Sequence, residues 1–261
     1  MSLTICVNQL SFSAQKEENT KEILQLMSES DAQLDVFPEY SMGIPANGIN
    51  KGYVRENAEP LDGEFVQRIV DGTLGRHSAV VFTTFLKEKD SIYNTAILAK
   101  SGKIQAVYKK IHLFDAFGNQ ESAIFTAGNK LATADLEPFK IGLAVCFDLR
   151  FPEIFRAMMY KGVNLFIIPS GWYEGEYKIE QWRALLAARA HENVSYLVAA
   201  NQTSPSFIGH STVIHPMGYP IKEVNHEKAS FLAELDFEEL QKARQSIPIM
   251  HLAKRDLYPV L

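Results

Sequence analysis

The chain has 261 residues, 46% of them hydrophobic and 22% charged, a composition suited to a globular protein with a large core. A net charge of −5 and a pI near 5.8, with no Lys/Arg-rich run, argue against a general nucleic-acid binder. Two cysteines, Cys6 and Cys146, make no disulfide framework or zinc cluster; no apolar run reaches the length of a membrane span.

From the N-terminus, residues 3–10 (LTICVNQL) read as a strand, and 18–30 as a helix with Ile23, Leu24 and Met27 at helical spacing. Residues 34–40 (LDVFPEY) form a short apolar strand stopped by Pro38. A helix over GEFVQRIVDGTLG precedes three strands, SAVVFTTFL, YNTAILAK and KIQAVYKK, with Ser101-Gly102 as the turn between the last two. The second half repeats this grammar. A strand, KIGLAVCFD, leads into a helix with Pro152 and Glu153 in its first turn. VNLFIIPSGW is read as a strand stopped by Pro169, followed by the helix YKIEQWRALLAARAHEN and the strand SYLVAANQ. A hairpin around HPMGYP and a closing strand, ASFLAELD, finish the pattern, while the tail SIPIMHLAKRDLYPVL has no clear period. That tail is expected to pack across a neighbouring element or a partner subunit.

Apolar strands with few polar positions imply sheets covered on both faces. Two stacked sheets with helices outside, in one domain spanning 1–261, satisfy that requirement. No Pro/Gly/Ser-rich linker separates the halves.

Several chemistries lack their signatures. There is no dinucleotide fingerprint and no P-loop; GHSTV lacks the closing Gly of a G-x-S-x-G elbow, and HENVS lacks the second His of H-E-x-x-H. What stands out is position. In open α/β sheets, active sites collect beyond the carboxyl ends of strands. Glu39, Lys110 and Cys146 all follow strands in that way. Each has a plainer reading taken singly: a solvated or capping carboxylate, a surface lysine, a core thiol. A thiol at a strand end that faces the start of the Pro152 helix is expected to have its pKa lowered by the helix dipole.

The blocks FPEYSMG, YKKIHLF and AVCFDLRFPE resemble the three signature blocks of the nitrilase superfamily of carbon–nitrogen hydrolases. QESAIFTAGN, LLAARAHEN, GHSTVIHPMG and IPIMHLAKRDLY extend the resemblance over nearly the whole chain. The second and third blocks most resemble the omega-amidase and deaminated-glutathione amidase branches. The resemblance implies a four-layer α-β-β-α sandwich of two stacked mixed sheets, assembled as a homodimer or larger homo-oligomer. It further implies Cys146 as nucleophile, Glu39 as general base, Lys110 as cationic stabiliser and Glu121 as an assisting carboxylate, with no metal and no cofactor. The expected reaction converts a small linear amide, with or without a distal carboxylate, to acid and ammonia through a thioester. N-carbamoyl amino-acid hydrolysis, nitrile hydrolysis and an inactive binding partner on the same fold are the alternatives.

Around this core, the backbone N–H of Phe147 is expected to contact the oxyanion. Trp172 and Tyr173, beyond a strand end, are candidates for lining the pocket. Arg150 and Glu153 could hold a substrate carboxylate, but as neighbouring opposite charges they are expected to pair and fix their turn; Asp148 is expected to form a turn, and Arg189 and Glu192 to pair along their helix. The expected compartment is the cytoplasm, since the N-terminus lacks the pattern of a signal peptide. The partner is a small-molecule amide, not a nucleic acid or a membrane.

Overall fold

The computed structural model describes residues 1–76, 78–254 and 257. In the first half, β1 (Ser2–Gln9), α1 (Lys16–Glu29), β2 (Leu34–Val36), α2 (Lys51–Asn57), α3 (Glu64–Asp71), β3 (Ala79–Glu88), β4 (Ser91–Lys100) and β5 (Lys103–Lys109) follow in order. The second half holds β6 (Thr133–Leu136), β7 (Phe139–Leu143), α4 (Pro152–Tyr160), β8 (Leu165–Ser170), α5 (Lys178–His191) and β9 (Tyr196–Asn201). A two-residue pair, β10 (Thr203–Ser204) and β11 (Phe207–Ile208), then precedes β12 (Thr212–Ile214), β13 (Pro220–Glu223) and β14 (Ala229–Asp236). The chain continues through α6 (Phe237–Ser246) and α7 (Ile249–Leu252).

Two six-stranded mixed sheets result, with orders β14-β1-β2-β3-β4-β5 and β6-β7-β8-β9-β12-β13. Corresponding strands pair with the same sense. β1-β2-β3 and β7-β8-β9 are parallel, and the flanking neighbours are antiparallel. Ile5, Val7, Val36 and Val81 of the first sheet cluster with Leu143, Ile167 and Val198 of the second, so the inner faces meet in one core. Phe155 of α4 and Leu186 of α5 join that cluster from the second sheet's side. On the first sheet's other face, Ile23 and Met27 of α1 and Phe65 and Ile69 of α3 pack with Val80 and Phe82. This is the layered arrangement the apolar strands imply.

Local rules account for most elements. Ser101 and Gly102 both have positive φ (51° and 69°), the backbone a two-residue hairpin needs to match strand twist. Pro152 opens α4, where its missing N–H leaves nothing unpaired. Four expectations need correction. KIGLAVCFD is not one strand: β7 ends at Leu143, and residues 146–150 form a 3-10 turn that begins at Cys146. Pro169 does not stop β8 but lies inside it. The Ile167 carbonyl accepts from Ala144 N on the β7 edge. Pro169, two residues on, therefore turns its missing donor to the same edge, beyond the end of β7. ASFLAELD does not close the second sheet; β14 pairs with β1 along all eight residues and completes the first. Finally, α2, α6 and β6 have no counterpart in the sequence reading. Of the tail, α7 packs back through Ile249 and Met250, and Arg255, Asp256 and residues 258–261 lie outside the described residues. No helix among the described residues is long and apolar enough to cross a membrane.

Candidate active site

After β2, the chain turns at Pro38 and brings Glu39 to the carboxyl end of β8, where its N–H donates to the Ser170 carbonyl (3.3 Å). Gln202 Nε2 holds the Glu39 carbonyl from the end of β9 (2.9 Å). The next residue, Tyr40, has φ 63°, a strained left-handed conformation for a non-glycine residue. The Glu39 side chain is fully buried. Its Oε1 accepts from Asn94 Nδ2 (2.7 Å) and Lys110 Nζ (2.9 Å), and its Oε2 from the Gly171 N–H (2.8 Å).

Lys110 lies one residue past β5, inward-facing like Ala106 and Tyr108, and is 1% exposed. Its backbone is clamped on both sides: the N–H donates to the Asn94 carbonyl and the carbonyl accepts from Gly128 N, both at 2.8 Å. A Cβ on Gly128 would sit 2.1 Å from the Lys109 carbonyl oxygen, so this close approach requires glycine. The Lys110 ammonium also reaches Glu121, at 2.9 Å from Oε2 and 3.1 Å from Oε1. Glu121, on a single 3-10 turn, is fixed in turn by the Phe114 N–H (2.7 Å) and Asn94 Nδ2 (3.0 Å).

The ammonium therefore lies between two buried carboxylates. Burial alone would lower its pKa, but Glu121 and Glu39 outweigh burial and hold it well above the usual lysine value. Burial raises the Glu39 pKa; Lys110 pulls it back and Glu121 pushes it up again. A carboxylate whose proton affinity is raised makes a stronger base near neutral pH.

Cys146 opens the 3-10 turn with φ 46°, a second strained residue at this end of the sheets. Asp148 holds the turn in place. Its Oδ2 accepts from Val145 N (2.9 Å) and the Tyr108 hydroxyl (2.8 Å), while Oδ1 accepts from His112 N (3.0 Å) and contacts His112 Nδ1 (2.8 Å). Asp148 is thus more than the turn former expected, because it ties the cysteine turn to the segment that carries Lys110. The expectation of a lowered thiol pKa fails. Burial and the Glu39 carboxylate push the Cys146 thiol well up, against the smaller lowering effects of Lys110 and the Gly171 N–H. Burial and the Glu39 charge both favour the protonated thiol.

Cys146 and Lys110 line one pocket with Phe147, Trp172 and Tyr173. Both aromatic residues after β8 therefore reach the pocket. Tyr40, Phe114, Arg150, Gly171 and Lys178 complete it. Arg150 forms no ion pair with Glu153; its Nη2 donates to Gln181 Oε1 (2.7 Å). Arg189 and Glu192 do pair (3.1 Å). The sequence reading missed Asn94, Lys178 and Gly171. A lone Asn on the inward face of YNTAILAK was the one signal available for the first.

Two stacked mixed sheets with this buried Glu–Lys–Glu cluster and thiol beyond their strand ends place the molecule among the hydrolases of nitrilase architecture. The chain belongs to the carbon–nitrogen hydrolase family, whose sequence model matches residues 4–245. It is 30% identical to a deaminated glutathione amidase of Escherichia coli O157:H7, over 95% of this chain and 96% of that one. It is 32% identical to the 2-oxoglutaramate amidase of Bacillus subtilis strain 168, over 79% of this chain and 82% of the relative. Among solved structures, Saccharomyces cerevisiae Nit3, a member of branch 10 of the nitrilase superfamily, aligns with TM-score 0.83 and 26% identity. That match covers 97% of this chain and 96% of the yeast chain. The protein is accordingly a hydrolase of non-peptide carbon–nitrogen bonds.

Proposed function

We propose that the protein is a cysteine-dependent amidase that hydrolyses a short linear amide to a carboxylic acid and ammonia. The observation that carries this reading is the shared pocket of Cys146 and Lys110, with Lys110 hydrogen-bonded to both Glu39 and Glu121. Glu39 takes the Cys146 proton as sulfur attacks the amide carbon. The oxyanion that forms lies against the Lys110 ammonium and the Phe147 N–H. Collapse expels ammonia, protonated by Glu39, and leaves a thioester on Cys146. Water then attacks the thioester with a glutamate as base, releasing the acid and restoring the thiol. One oxyanion donor contributes on the order of 10²–10³ in kcat. The names of the Bacillus relative and of the human omega-amidase NIT2, 30% identical over 80% of this chain, favour an amide with a carboxylate at its far end. We further propose that the enzyme acts in the cytoplasm as a homo-oligomer.

The test is ammonia release from amides, N-carbamoyl amino acids and nitriles at matched concentration. Release from amides with the highest kcat/KM is expected. A preference for a carbamoyl amino acid or a nitrile would replace the amidase reading, and no release from any of them would favour an inactive binding partner.

A further inference from the structure

Apart from Lys110, two cations face the pocket. Both lack a carboxylate partner among the described residues. Lys178, the first residue of α5, is 9% exposed, yet among the described residues its ammonium has no hydrogen-bond or ion-pair partner. It rests on ring faces instead, 3.7 Å from the Phe117 centroid and 5.9 Å from those of Phe114 and Trp172. Arg150 lies over Trp172 at 4.8 Å, and apart from the bond to Gln181 its donors are free; Nε is enclosed with no acceptor at all. Enclosing a charge without a carboxylate partner is unfavourable, and two like charges in one pocket add repulsion. Burial lowers the pKa of Lys178, and the neighbouring Arg150 lowers it further. A fold does not keep such a pair for stability.

We infer that Lys178 and Arg150 form an anion clamp for the substrate carboxylate, with Lys178 as the residue that selects an acid-bearing amide over a neutral one. This rests on the amidase reading and assigns its specificity. The guanidinium is fixed by Gln181 and by the Trp172 face, so it presents unused donors in a set direction. The ammonium on Phe117 is held only by a cation–π contact, which is weaker than a charge-assisted bond to a carboxylate. Phe117 is 68% exposed, so its ring can yield as the ammonium turns to the ligand. The scissile amide then lies toward Cys146 and Lys110 and the acid toward the clamp.

Two measurements test this. The first compares kcat/KM for succinamate and for butyramide, which has the same chain length but no charge. Lys178→Met is expected to lower the succinamate-to-butyramide ratio by about tenfold to hundredfold, mainly through KM, the loss of one charge-assisted bond. Lys178→Arg should restore most of it. If Lys178→Met lowers both amides equally, the cation serves the reacting centre and the clamp is wrong. The second is calorimetric titration of succinate into Cys146→Ala protein, which requires no turnover. Binding that weakens about tenfold or more with Lys178→Met supports the clamp; no binding, or binding indifferent to Lys178, overturns it. Hydrolysis of butyramide as readily as succinamate would also overturn the clamp, while leaving the amidase reading intact.

Discussion

Lys109 and Lys110 are adjacent, of the same chemistry, and opposite in consequence. Side chains alternate along a strand, so Lys110 turns inward with Ala106 and Tyr108 while Lys109 turns out to Glu88 and the Tyr93 ring. Lys110→Met is expected to lose at least roughly hundredfold in kcat and still fold; Lys109→Met should cost far less. Steady-state kinetics on the two variants checks this, and a severe loss confined to Lys109→Met would contradict the register. Glu39, Lys110, Glu121 and Cys146 were legible because short blocks around each resemble family signatures. The state of the thiol was not. Its pKa depends on burial and on Glu39, 107 positions away in sequence, and helix-start reasoning sees neither. Lys178 escaped for a similar reason, since a lysine at a helix start looks solvated until Phe117 and Trp172 are seen to cover it.

The decisive element is the turn 146–150, which the sequence suggests is the end of a strand. AVCFD is as apolar as a strand, but three residues past Leu143 the backbone has entered the left-handed region at Cys146. Periodicity cannot reveal that, because Asp148 enforces the turn through partners on two segments: Val145 beside the turn, and Tyr108 and His112 on either side of Lys110. Asp148→Asn replaces one acceptor oxygen with a donor facing N–H or O–H groups, leaving buried donors opposed. The expected result is a fall of about tenfold or more in kcat with a smaller change in KM, and a lower Tm. A variant with normal kcat would show that the turn keeps its shape without this carboxylate. Two of the missed helices, α2 and α6, are short and mostly polar; Val54 is the one buried residue of α2, and Leu240 and Ala243 are the two of α6. Their start signals are local: Asn50 caps Tyr53 N and Asp236 caps Glu238 N.

Across the whole molecule, the repeat of strand and helix along the chain is a repeat of sheet order, with one exchange. The first sheet takes its edge strand from β14, some 220 residues after β1, whereas the second takes β6 from immediately before β7. Sequence order alone assigns β14 to its neighbours, since alternation in ASFLAELD fixes which face is buried but not which sheet receives it. The pairing with β1 buries Leu235 completely and leaves Leu232 half exposed. Leu235→Ala is expected to destabilise by about 2–5 kcal/mol, and Leu232→Ala by less than about 1 kcal/mol. Chemical denaturation measures both. Equal costs would contradict the placement of this strand.

The central claim is covalent catalysis at Cys146, and intact-mass spectrometry during turnover tests it most directly. With succinamate as substrate, the account predicts an added acyl mass on the wild-type chain, mapped to the peptide containing Cys146 and lost when turnover ends. Cys146→Ala should carry no adduct and release no ammonia above background. Wild-type turnover by Cys146→Ala, or an acyl group mapped to Cys6, would contradict the account.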